Sequence, residues 1–63
     1  MTVDEYREAI LQEILAARDE AGEPLCDEKT ARDMLSVLSD TDLEMGMPFN
    51  TPAEVARTVL ESL

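Results

Sequence analysis

Acidic side chains alternate along one short stretch of the chain, at Asp40, Asp42 and Glu44 ahead of Gly46. Oxygen ligands at alternate positions begin the calcium loop of an EF-hand, which also requires a glycine at its sixth position and a bidentate glutamate at its twelfth. Counted from Asp40, the sixth position is a methionine and the twelfth is a threonine. Since two of the most constrained positions fail, the sequence predicts no calcium site here.

Other chemistry is limited by the residue types present. The chain has no histidine, and Cys26 is its only cysteine, so neither a zinc site nor an internal disulfide can be assembled. No hydroxyl side chain has a histidine to activate it, and no glycine-rich phosphate loop is present. We therefore expect a protein that is not an enzyme and that has no catalytic residues, no cofactor and no metal.

Charge restricts the class of partner. Fifteen acidic residues against five basic ones give a net charge of −10. Binding to nucleic acid or to an anionic membrane needs clusters of lysine and arginine, which the sequence lacks, so we expect neither. The charge is consistent with a solvated acidic surface or with an anionic face directed at a basic partner.

The length of 63 residues is enough for one small domain, spanning 1–63. Asp4 and Glu5 stand where a secretory signal would carry basic residues, and the longest apolar run, "ILAA", is far shorter than the roughly 20 residues that span a bilayer. The lone thiol is consistent with a reducing compartment, but such a residue is more often simply a small, inert apolar side chain. We expect a soluble cytoplasmic protein.

The first helix has a clear start and a clear stop. Thr2 and Glu5 have the spacing of a capping box, which satisfies two free amide donors. Apolar residues then recur with helical spacing along one broad face, up to Gly22 and Pro24, both of which favour a helix end. The sequence predicts a helix over 3–21.

Two further helices carry their own start signals. Asp27 is suited to cap a helix over 28–38, and its apolar residues share one face. Thr51 and Pro52 begin the last helix, over 52–62, because proline at the first helical position loses no hydrogen bond.

Between these helices, Ser39 is suited to cap a single helical turn over 40–45. The predicted fold is therefore all-α: a small three-helix bundle with an additional short helical turn before the last helix. We expect Phe49 to plug one end of the core, and the core to contain Ile10, Ile14, Leu35, Leu38, Leu43, Val59 and Leu60.

Two sets of apolar residues are candidates for binding a partner. Met45, Met47 and Phe49 lie close together on a connector, where methionines and an aromatic ring suit an adaptable docking surface. Leu11 and Leu15 lie at the edge of the broad apolar face of the first helix, which is wider than a surface helix needs. We expect the other helices to cover most of this face and the protein to be a monomer.

The sequence favours a non-catalytic protein–protein interaction module whose partner is another protein. The alternative is an acidic inhibitor or decoy, such as an antitoxin-like partner of a basic protein or a nucleic-acid mimic. Binding that weakens steeply with salt would favour the alternative, because contacts dominated by charge are strongly screened.

We predict that calcium does not bind to residues 40–51. In an NMR titration the backbone amide signals of this stretch should stay unchanged, because the loop lacks its glycine and its bidentate glutamate. Amide shifts that saturate at sub-millimolar calcium would contradict the prediction.

Overall fold

Helices make up most of the chain in the computed structural model, which describes residues 2–61. They are α1 (Val3–Ala16), α2 (Glu28–Leu35), α3 (Asp40–Gly46) and α4 (Pro52–Glu61). Extended backbone pairs within this range only at an isolated bridge between Arg18 and Pro24. The prediction of an all-α fold is confirmed, and the short helix precedes the last one as predicted. No helix among these residues is long and apolar enough to cross a membrane.

Side-chain caps explain where the helices begin. The Glu5 amide donates to the Thr2 hydroxyl over 3.1 Å, and the Thr2 amide donates to the Glu5 carboxylate over 3.0 Å. Asp27 caps α2 by accepting a 2.8 Å hydrogen bond from the amide of Thr30. These contacts confirm the predicted starts of both helices, because each satisfies amides that have no partner inside the helix.

The end of α1 differs from the prediction: the helix stops at Ala16, not at residue 21. The Asp19 carboxylate accepts hydrogen bonds from the amides of residues 21 and 23, each at 2.9 Å. Gly22 completes the turn with a φ of +82°, a conformation that favours glycine. The aspartate therefore offers the backbone a local alternative to the helix, although the apolar spacing continues past it.

The end of α2 also comes early, at Leu35 and not at residue 38. The guanidinium of Arg7 donates to the backbone oxygens of Leu35 and Leu38 over 2.9 and 3.0 Å. The Ser36 hydroxyl donates to the backbone oxygen of Asp33 over 2.6 Å. Side chains therefore bind two of the last carbonyls of α2, those of Asp33 and Leu35, and the backbone amides of residues 36–38 bind carbonyls of the last turn.

The core is centred on α1, against which each of the other three helices packs. Four of the predicted core residues are buried, namely Ile10, Ile14, Leu35 and Leu43, and three are partly buried against them, namely Leu38, Val59 and Leu60. The sequence-based core omitted four residues that are also buried: Tyr6, Leu11, Ala31 and Ala56.

The predicted burial of Phe49 is wrong, because its side chain is 82% exposed. The amides of Phe49 and Asn50 both donate to the backbone oxygen of Gly46, over 2.9 and 2.8 Å. This tight turn leaves the phenylalanine ring outside, while Met47 packs against the core. A flexible methionine fills an irregular gap more readily than a rigid ring does.

Replacement of Leu35 by alanine should lower the free energy of unfolding by about 2–5 kcal/mol, because the side chain is buried and a cavity would remain. Thermal or urea denaturation measures the change. Val37→Ala is the matched control, since Val37 is 81% exposed and should change stability by only about 0.5 kcal/mol. Equal effects of the two substitutions would show that the packing of α2 is misassigned.

Candidate functional site

An apolar groove of about 560 Å³ lies between the end of α2, α3 and α4, and we call it the α2–α4 groove. Its apolar lining consists of Tyr6, Met34, Val37, Leu38, Leu43, Val55 and Val59, and its remaining lining consists of Asp42, Gly46, Asn50, Glu54 and Thr58. A cavity of this volume is large enough for a small ligand or for the anchoring side chains of a peptide.

The groove exists because the helices pack on α1 more than on one another. Contacts among α2, α3 and α4 are sparse compared with those that each helix makes to α1. Tyr6 of α1 lies buried at the base, and Val37 at the margin is 81% exposed although it is apolar. The groove is therefore an apolar surface that the described residues leave open to solvent.

Tyr6 connects the base of the groove to the loop between α3 and α4. Its hydroxyl donates a 2.7 Å hydrogen bond to the backbone oxygen of Asn50. Burial of the ring raises the pKa of Tyr6, and the negative charge of Glu54 raises it further, since both effects disfavour the phenolate. The phenol is thus held neutral and serves as a hydrogen-bond donor.

Arg7 holds the connector between α2 and α3, whose residues Val37 and Leu38 line the groove. Besides its bonds to the end of α2, its guanidinium donates to the Asp40 carboxylate over 2.8 Å. Asp40 lies in the first turn of α3. One side chain of α1 therefore positions the end of one helix and the start of the next.

Two carboxylates lie in the groove, and both take part in capping boxes. Asp42 accepts from the Ser39 amide over 3.3 Å, and Glu54 accepts from the Thr51 amide over 3.1 Å. Each capping residue also binds the amide of its partner in return. Because of these reciprocal bonds, the two acids have less freedom than ordinary surface carboxylates.

The five residues predicted to bind a partner are not brought together, and none of them lines the groove. Leu11 is only 1% exposed, so the packing around α1 leaves little of its side chain for a partner to contact, and Leu15 is half-buried. Met47 is half-buried, whereas Met45 and Phe49 are exposed at 68% and 82%. A role for Met45 and Phe49 in binding stays a prediction.

The sequence analysis missed the residues that form the walls of the groove, such as Val37, Val55 and Val59. All three lie on the apolar faces recognised in the sequence, and the signal available was that these faces are wider than contact with α1 requires. Sequence patterning shows that a residue is apolar. It does not show which of the apolar residues stays uncovered.

The polar groups of the site show no arrangement typical of catalysis. The Thr58 hydroxyl donates to the backbone oxygen of Glu54 over 3.1 Å, and the two groove acids accept capping hydrogen bonds. Across residues 2–61, no three acidic or cysteine side chains converge in a way that suits a metal ion. The chemistry this groove offers is apolar contact combined with negative charge.

Comparisons with protein-family models, with curated proteins and with solved structures give no match for this chain. Function is therefore inferred from the groove and its electrostatics.

We predict that Tyr6 titrates at a higher pH in the folded protein than in the unfolded chain, where its pKa is about 10. The folded pKa is raised, so the stabilising effect is complete below the unfolded pKa and is lost as the pH rises through the folded pKa. Tyr6 is the only tyrosine, and tryptophan is absent, so ultraviolet absorbance of tyrosinate reports this group alone.

The titration should be run in buffer and in urea, with circular dichroism recorded on the same samples. Glu54→Gln should move the folded midpoint part of the way toward the unfolded one, because it removes the second cause of the shift. Identical midpoints in buffer and in urea, with the helices intact, would contradict the assigned burial of the phenol.

Proposed function

We propose that the chain is a three-helix bundle of α1, α2 and α4, with α3 as an added short wall, and that it acts as a non-catalytic protein-interaction module. The proposed binding surface is the α2–α4 groove. Another protein is the proposed partner, and the module itself is proposed to be a monomer.

The observation that carries this proposal is the uncovered apolar lining. Val37 in the connector after α2 and Val55 on α4 line one groove above a buried aromatic base, and Val37 is 81% exposed. Each buried apolar side chain contributes about 1.5–3 kcal/mol when it leaves water. A small domain has few such side chains. Those that stay exposed in a groove can still release this free energy if a partner buries them, and exposed apolar patches often mark interaction sites.

The alternative is an acidic inhibitor or decoy that acts through charge alone. The net charge of −10 supports it, and an apolar groove does not belong to such a mechanism. Salt separates the two proposals, because screening weakens binding by charge and has little effect on apolar burial. We favour the module because the groove is lined mainly by apolar side chains.

Binding can be tested with a synthetic amphipathic helix that is uncharged and carries leucines at positions i, i+3, i+4 and i+7. Amide shifts in the NMR spectrum should cluster at Val37, Gly46 and Val55. Val37→Gln should weaken binding by about tenfold, because it removes part of the apolar contact.

The control variant is Met45→Gln, which changes an exposed apolar residue outside the groove. It should change the Kd by less than about twofold. Equal losses in the two variants, or amide shifts centred on Met45 and Phe49, would place the binding surface at the end of α3 and the connector after it.

A further inference from the structure

We propose that the α2–α4 groove binds an amphipathic helix that carries lysine or arginine beside its apolar face, and that Asp42 and Glu54 bind those basic side chains. This inference rests on the proposed function and adds the chemistry of the partner.

A helical partner fits the groove better than an extended one. Peptides bound as strands need an exposed sheet edge, and within residues 2–61 the only extended pairing is the single bridge from Arg18 to Pro24, which lies outside the groove. The groove walls come from the end of α2 with the connector after it, from α3 and from α4, and all three helices rest on α1. A further helix laid between them would meet apolar side chains at its own i, i+3 and i+4 spacing.

The charge of the groove selects a basic partner. Its only ionisable side chains apart from Tyr6 are Asp42 and Glu54, and its lining contains no lysine or arginine. Arginines elsewhere have their own acceptors: Arg7 pairs with Asp40, Arg32 with Glu8 and Glu28, and Arg57 with Glu61, while Arg18 donates to the carbonyls of Leu15 and Ala17. The charge of the two groove acids is thus left for a partner to neutralise.

The capping hydrogen bonds hold each of these carboxylates in place through one oxygen and leave the other oxygen available to a cation. Asp42 uses Oδ2 and Glu54 uses Oε1 for the capping bonds. Within residues 2–61 the second oxygen of each of these two carboxylates accepts no hydrogen bond. A carboxylate already held in place loses little side-chain entropy when it pairs with a cation, which is the main cost of a surface ion pair.

The same electrostatics oppose other occupants. A second copy of the chain brings another net charge of −10, which repels the first at close approach. A fatty acid or another apolar anion would place its charge near two carboxylates. A basic amphipathic helix gains from both the apolar lining and the acids.

The test uses two synthetic peptides with the same leucine pattern, one with lysines beside the apolar face and one with glutamines at those positions. Calorimetry measures the binding of each to the native protein and to the double variant Asp42→Asn and Glu54→Gln. The amides retain the capping acceptors, so the fold is kept while both charges are removed. Circular dichroism and thermal melting check the fold of each variant.

The matched control is Asp33→Asn with Glu20→Gln, which removes the same charge from exposed residues outside the groove. We expect the groove variant to bind the lysine peptide about fivefold more weakly and the control to change by less than about twofold. Binding of the glutamine peptide should stay the same in all three proteins.

Equal losses in the groove variant and the control would overturn the proposal, because net charge alone would explain them. Equal affinity of the native protein for both peptides would also overturn it, while leaving the proposed function in place. If neither peptide binds, both the basic helix and the proposed function are rejected.

Discussion

Arg7 is the contact on which the placement of the helices depends. Its guanidinium binds the carbonyl of Leu35 at the end of α2, the carbonyl of Leu38 in the connector, and a carboxylate in the first turn of α3, at distances of 2.8–3.0 Å. Hydrogen bonds that involve a charged donor are about twice as strong as neutral ones. The connector over 36–39 is therefore tied to α1 at both ends, and that tie sets the position of one wall of the groove.

Tyr6, the neighbour of Arg7 in sequence, has the corresponding role on the other side. Successive helix residues are about 100° apart around the axis, so the two side chains reach different connectors. Tyr6 binds the backbone of Asn50 over a sequence separation of 44 residues. Because contacts among α2, α3 and α4 are sparse, these two residues of α1 hold the outer helices in place by hydrogen bonds as well as by packing.

An open groove has a cost for a chain of 63 residues. Such a domain buries only about 60% of the surface that its unfolded chain exposes. Every valine that stays exposed therefore lowers the stabilisation that burial of apolar surface gives the fold. Exposed apolar side chains such as Val37 and Phe49 also favour aggregation. The high negative charge opposes this by keeping copies of the protein apart.

The sequence by itself determined the helical class and the helix starts, because a cap is a contact between residues such as Thr2 and Glu5 that lie three positions apart. It also identified the apolar faces, but not the groove. Tertiary structure decided the end of α2, where Arg7 binds from 28 residues away, and the exposure of Phe49. It also decided that Val37 stays uncovered. Whether a side chain is covered depends on the distance between the helices, and that distance is set by contacts between residues far apart in the sequence.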